Sequence, residues 1–357
     1  MLNFTVGPVM MEEEILEIGA KQLPYFRTQE FSDLMLENER MLLKTMGAPD
    51  GSRAIFLTAS GTGAMEASIM NFFTEQDRIL AVNGGSFGQR FCDLCRIHQI
   101  PYDEIAIEHG KALAEEHLRP YDGKDYTGFL INVHETSTGV LYDMDLVADF
   151  CRRNHLFLVA DAISTFLADP FFMEKWGIQA AIVSSQKALA LPAGMSFVAV
   201  DTEAQKRIQN RQLSQMYFNF KDYLDNGKRG QTPFTPAVTV LYQLNQRLKR
   251  LLDCGVENEC RRTADLASKF RKGIQGLPLK ISSERCSNAL TPLQLCGRKT
   301  AGELVETLKE KYRIYVNPCS GPEREDHIRV GHIGAVREEQ MHELIRIFHE
   351  LNEKGEL

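Results

Sequence analysis

The 357-residue sequence has no apolar run long enough to cross a bilayer. Its apolar stretches, such as Phe129-Leu130-Ile131-Asn132-Val133, are of strand length, whereas a spanning helix needs about 20 residues. The start, Met1 to Pro8, has neither a basic segment nor an apolar one behind it, so no signal peptide is expected. Positive charge is not in excess. There are 41 Lys and Arg against 48 Asp and Glu, net −7, which argues against a nucleic-acid partner. Low-complexity tracts, internal repeats and Pro/Gly/Ser linkers are missing too. These absences leave a globular chain without membrane contact, expected in the cytoplasm with its eight cysteines reduced.

What is present is an alternation of segment types. Strand-length apolar runs at 54–58, 78–82, 128–133, 156–160, 180–184 and 195–200 are interleaved with helical periodicity over 64–73, 87–98 and 145–154. That pattern predicts an α/β fold with a mostly parallel sheet. Only a short loop separates 180–184 from 195–200, too little for a crossover helix, so this pair is not expected to be parallel. After residue 236 long helices dominate (237–252 and 257–275), with short strands near Leu279, Leu293 and Ile328 and a closing helix over 337–352. The reading is a large α/β domain over 1–236 and a smaller α+β domain over 237–357.

Ligands of open α/β sheets bind beyond the carboxyl ends of the strands. The residues there are Ser60-Gly61-Thr62, Asn83 to Phe87, His134-Glu135-Thr136-Ser137-Thr138-Gly139, Asp161 to Ser164, and Ser184-Ser185-Gln186-Lys187. Together they supply amides and hydroxyls at a helix start for an anion, an aromatic face at Phe87, a fixed carboxylate at Asp161 and an amine at Lys187. That set describes a pyridoxal 5′-phosphate (PLP) site: the amine bonds the cofactor and the carboxylate keeps its ring nitrogen charged. Singly, each part has a plainer reading. Ser60-Gly61-Thr62-Gly63 is an acceptable strand–helix turn, and Glu66 stands where a dinucleotide fingerprint needs its third glycine. Asp161 could be a turn cap and Phe87 a core residue. Cys92, Cys95 and His98 have the look of part of a metal site, but no fourth ligand is evident and no metal is expected.

With these motifs, Gly7-Pro8 and Arg329-Val330-Gly331-His332-Ile333-Gly334, the sequence resembles the fold-type I, class V aminotransferases over nearly its whole length. The resemblance implies a large PLP-binding domain built on a mostly parallel, seven-stranded type of sheet, and a homodimer with active sites at the interface. Lys187 is similar to the family's Schiff-base lysine and Asp161 to the partner of the ring nitrogen. Ile163 would lie beneath the ring, Phe87 above it and Ser137 near its phenolic oxygen. Ser60, Gly61, Thr62 and Gln186 would hold the phosphate, with Thr235 reaching that of the neighbouring subunit. Arg329 resembles the clamp for the substrate carboxylate, and Gly7 joins it on the substrate side. Arg27 is open between a second anion site at the substrate mouth and a helix cap.

Two branches of the family fit. Gln186-Lys187 followed by Leu191-Pro192-Ala193-Gly194-Met195-Ser196-Phe197 resembles serine–pyruvate and alanine–glyoxylate aminotransferases. The 134–136 and 329–334 motifs also resemble 2-aminoethylphosphonate–pyruvate aminotransferase, which usually has Asn where Gln186 stands. A third chemistry, cysteine desulfuration, would use Cys319, ten residues before Arg329. Gln186 and Phe87 stand where desulfurases typically have His, which weighs against it. The expected reaction is transamination from a small amino acid to a keto acid such as pyruvate or glyoxylate.

Overall fold

A computed structural model describes residues 1–211, 215–319 and 321–357. Its centre is a sheet of seven strands, each five residues long: β1 (Arg53–Leu57), β2 (Ile79–Asn83), β3 (Tyr102–Ala106), β4 (Gly128–Asn132), β5 (Phe157–Asp161), β6 (Ala180–Ser184) and β7 (Ser196–Val200). The spatial order is β1-β7-β6-β5-β4-β2-β3. Every strand except β7 points the same way, and β7 pairs antiparallel with both β1 and β6. The short β6–β7 loop therefore returns as an antiparallel connection, as its length requires.

Strands β4 to β7 are buried along their whole length. Both faces are covered, as apolar runs without alternation demand. One face packs Leu80, Phe129, Ile131, Leu158, Ala181, Val183 and Phe197. The other packs Ile55, Leu57, Ile79, Leu130, Val159, Ile182 and Val198. Helices α1 (Gln29–Thr45), α2 (Gly61–Phe72), α3 (Ser86–Ile97) and α4 (Met144–Arg153) flank the sheet. Helix α2 begins three residues earlier than its apolar period suggests, because the Ser60 hydroxyl accepts from Gly63 N at 3.3 Å and caps it.

The carboxyl-terminal part holds α5 (Val238–Cys254), α6 (Val256–Gly273), α7 (Ala301–Tyr312) and α8 (Glu338–Glu353). They accompany an antiparallel sheet in the order β8 (Leu279–Ile281), β9 (Leu290–Leu295), β11 (His327–Gly331), β10 (Asn317–Pro318). Helix α5 packs Leu241, Leu244 and Leu248 into the core of the central sheet. The third core, around Phe270, Leu293, Leu304, Ile328 and Phe348, also takes in Phe4 from the amino-terminal arm. Residues 2–9 thus run between the two halves: Gly331 N donates to Phe4 O, and Val9 N to Gln186 O.

Candidate active site

The carboxyl edge of the central sheet collects the functional side chains. Asp161 ends β5 beside Asn132 at the end of β4, and Asn132 Nδ2 donates to Asp161 Oδ2 at 2.5 Å. Ile163 N donates to the other carboxylate oxygen at 2.8 Å. No cation pairs with this buried carboxylate among the described residues, and burial pushes its pKa up to about 6. A charged carboxylate without a counter-ion is costly in such a place. The site is built for a positive partner that the chain itself does not provide.

Lys187 lies just past β6. Its Nζ donates to Val6 O at 2.9 Å. Burial first, and then the charge of Arg329, bring the amine down to about 8. A largely buried lysine near another cation is thereby made a better nucleophile and base. The arm fits closely against it. Gly7 has φ +137°, and a Cβ there would sit 2.9 Å from Lys187 Cδ. Only glycine allows both that backbone and that approach.

The start of α2 offers an anion cradle. Gly61 lies so close to Ile163 and Ser184 that a Cβ would come within 2.5 and 3.0 Å of them. Ser60, Gly61 and Thr62 thus present first-turn amides and two hydroxyls beside the Asp161 loop. Ser184 Oγ meets Ser196 Oγ at 2.6 Å, and Ser196 Oγ donates to Ala59 O at 3.2 Å, tying β6 and β7 to the cradle. Gln186 is partly buried at the same edge.

Phe87 stands in the first turn of α3, whose free amides are held by Glu135. This fully buried carboxylate accepts from Phe87 N at 3.3 Å and Gly88 N at 2.8 Å. It also accepts from Ser137 Oγ at 2.5 Å, and Ser137 Oγ accepts from Ser86 N at 3.0 Å. The Ser137 hydroxyl is therefore engaged at the helix start. Its neighbour Thr136 shares a 2.7 Å hydrogen bond with Ser164, in the loop after Asp161. An acid at a helix amino terminus is favourable both as cap and toward the helix dipole.

Arg329, on β11, faces this edge from the smaller half. Its Nη1 and Nη2 each donate to a main-chain carbonyl at 3.1 Å, Thr136 O and Pro318 O, while Nε has no partner among the described residues. The fork is held in place by carbonyls and pairs with no carboxylate among the described residues. His134 is also buried here, with neither ring nitrogen partnered among the described residues. Burial and the charge of Lys187 pull it down to about 3, so it is neutral.

Other expected residues lie elsewhere or do other things. Arg27 donates to Gln231 Oε1 at 3.1 Å and Thr232 O at 2.8 Å, with its guanidinium over the Phe26 ring, while Thr28 caps α1. Thr235 is exposed on the loop that follows. The Cys319 thiol is pushed up by burial against the opposing pull of Arg329. Cys92 and Cys95 are buried thiols raised to about 12, and His98 pairs with Glu66. Glu135, His134 and Arg90, which reaches Thr62, were not singled out in the sequence. Glu135 and His134 stand inside the quoted 134–139 motif, and Arg90 is three residues past Phe87.

The residues fit PLP: a buried acid lacking a cation, a softened buried amine, and a helix-start cradle sharing the Ile163 loop. Residues 24–322 match the family "Aminotransferase class-V". An uncharacterized aminotransferase of Helicobacter pylori is 30% identical over 341 residues, covering 94% of this chain and 89% of the relative. The L-aspartate–glyoxylate aminotransferase of Paracoccus denitrificans is 26% identical over 345 residues, 93% of this chain and 86% of that one. Among solved structures, alanine–glyoxylate aminotransferase from Nostoc sp. superposes with a TM-score of 0.92 at 22% identity, covering 98% and 95% of the two chains, a likeness of fold. The chain belongs to the class-V aminotransferase family and is a PLP-dependent transaminase acting on amino and keto acids.

Proposed function

We propose that the enzyme moves the amino group of a small amino acid, of serine or alanine type, to a small keto acid such as pyruvate or glyoxylate. The observation that carries this reading is the guanidinium fork of Arg329, held by main-chain carbonyls beside the softened amine of Lys187. One fork serves the α-carboxylate common to donor and acceptor. The Paracoccus relative's acceptor, glyoxylate, supports the keto-acid half. Its donor, aspartate, carries a second carboxylate, and here Arg27 spends its donors on Gln231 and Thr232. That leaves a small, uncharged donor side chain as the better fit.

Bound PLP supplies an electron sink that makes the substrate's α-hydrogen acidic. The chain does the rest. Lys187 would anchor the cofactor and would move the proton from and back to the substrate's α-carbon. Asp161 would balance the ring nitrogen, Ile163 and Phe87 would hold the ring, and Ser137 would serve its oxygen side. Ser60, Gly61, Thr62 and Gln186 take the phosphate. Gly7 brings the arm against Lys187. A thiolate route through Cys319 is disfavoured by the burial that raises its thiol.

The functional unit in this reading is a homodimer. Exposed Tyr25, Met216 and Tyr217 support it, because Tyr217 stacks on Phe234 at 5.1 Å, next to Thr235, and donates to Thr58 O beside the cradle. Thr235 then serves the neighbouring subunit. Sedimentation should give a dimer, and a monomer at full activity would remove this part.

The donor test is a panel of serine, alanine, aspartate and 2-aminoethylphosphonate against pyruvate and glyoxylate. The highest kcat/KM is expected for serine or alanine, and a preference for aspartate or the phosphonate would replace that assignment. In Arg329→Lys, which keeps the charge but not the fork, KM should rise about 10- to 100-fold for every amino and keto acid. An unchanged KM would remove the clamp.

A further inference from the structure

Arg90 is a cation in direct contact with the anion cradle, and its surroundings are unusual. It projects from the first turns of α3 back to α2, where Nη1 donates to Thr62 Oγ1 at 2.8 Å. Its guanidinium carbon lies 4.8 Å from the centroid of the Phe87 ring. The side chain is partly buried, yet no carboxylate lies within ion-pair distance among the described residues. A guanidinium withdrawn from water usually has an anion beside it. The residues proposed for the phosphate (Ser60, Gly61, Thr62, Gln186, Thr235) are all uncharged, so a dianion there has no formal counter-charge of its own.

We propose that Arg90 is a positioning residue that supplies this counter-charge, acting through Thr62 and holding Phe87 in the same grip. The inference rests on the PLP site proposed above. Its hydrogen-bond logic follows from donor and acceptor inventories. Because the Thr62 oxygen accepts from the guanidinium, its own O–H is free to turn outward, and what it meets must be an acceptor. A phosphate oxygen is acceptor only. Donation from a cation also polarises that hydroxyl and strengthens its outward bond. Over Phe87, the same guanidinium is attracted to the ring face, so one side chain couples the phosphate end of the site to its stacking residue. Glu135 fixes the backbone of that residue from the other side. The positive charge is also felt at Lys187, whose amine it helps to lower.

The test compares binding of PLP and of pyridoxal, which lacks the phosphate, to the cofactor-free protein. In Arg90→Gln the PLP dissociation constant should rise about 10- to 100-fold, the range of a lost charge-assisted hydrogen bond, with pyridoxal changing less than about threefold. Arg90→Lys should recover part of the phosphate-dependent affinity. Thr62→Val should lose a similar share, and adding Arg90→Gln to it should cost little more, since the two act in series. Inorganic phosphate should compete with PLP for the wild type and far less for Arg90→Gln. Equal loss for PLP and pyridoxal would mark Arg90 as merely structural and overturn the inference. So would unchanged PLP binding with a raised KM for acidic donors, which would assign Arg90 to substrate. A wild type that binds PLP with no dependence on residue 90 sinks this inference alone. A wild type that binds neither compound sinks the proposed site and this inference with it.

Discussion

In Lys187→Ala, transamination is lost by roughly 10⁴-fold, the upper range for removing a positioned general acid–base group. Anchor and proton carrier disappear together, so the loss appears with every donor and acceptor and is measured in single-turnover assays on cofactor-loaded protein. A companion variant reads the folded site directly. Lys187→Met keeps an unbranched chain of similar length but no charge. The wild-type amine is held near 8 in the folded chain against an ordinary 10.5, so burial of its ammonium destabilises the cofactor-free fold. That penalty is full below pH 8 and fades as pH rises through 8 toward 10.5. Allowing for partial exposure, cofactor-free Lys187→Met should be more stable than wild type by about 2 kcal/mol at pH 7. The gain should shrink clearly by pH 9.5. Urea denaturation at the two pH values checks it, and a pH-independent difference would contradict the buried, charged amine. A residue that costs stability in the empty site and is needed for turnover is the trade-off expected of a functional group.

The second large effect is at Asp161. Replacing it with Asn keeps shape and one hydrogen-bond acceptor but removes the charge proposed to balance the ring nitrogen. Breaking a buried charge pair costs about 3–5 kcal/mol, so kcat/KM should fall about 10²- to 10⁴-fold. In the cofactor-free protein the sign is reversed. The wild-type carboxyl is raised from 3.8 to about 6, so its stabilising share is full below about pH 4 and is lost as pH rises through 6. Between pH 4.5 and 7.5 the wild type should therefore lose about 2 kcal/mol relative to Asp161→Asn. With PLP bound, the carboxylate gains its positive partner and this relative loss should largely vanish. Parallel urea titrations of cofactor-free and loaded protein decide it. A relative loss of the same size in both forms would mean that Asp161 does not meet a cation on the cofactor.

The sheet was largely legible from the sequence because its strands are buried on both faces and read as unbroken apolar runs. Ala180–Ser184 falls where its run places it, and the short return to Ser196–Val200 pairs antiparallel as its length requires. Strand β3 was not legible. Tyr102–Ala106 is an edge strand, paired on one side, with Asp103 and Glu104 in its middle and a single buried residue. An edge needs no apolar run, so periodicity gives no sign of it. Helix α7 begins at a Thr300/Glu303 capping box, a local signal that marks its start without the long apolar period of the helices before it.

The site divides along the same line. Lys187, Asp161 and the 60–62 turn follow recognisable strands, so the rule that ligands sit at carboxyl edges was enough to group them. The structure joins them through Gly61 against Ile163, Asn132 on Asp161, and Gly7 against Lys187. Glu135 and Arg90 were hidden for a physical reason. An acid or arginine in a helix-rich sequence reads as solvated surface, and only the fold shows one fully buried under a helix start and the other reaching Thr62 across two helices. Arg27 is the converse. Its place in the sequence leaves it open between a second anion site and a helix cap, while in the fold its donors go to Gln231 and Thr232 and Thr28 caps the helix.

Lys187 is the lysine proposed to bond PLP. Borohydride reduction of the cofactor-loaded protein, followed by peptide mass mapping, tests it most directly. One modified lysine is expected, with the reduced cofactor's mass on the peptide that contains Lys187 and a visible absorbance band that disappears on reduction. Cofactor mass on any other lysine, or on none in a protein that still transaminates, would contradict it.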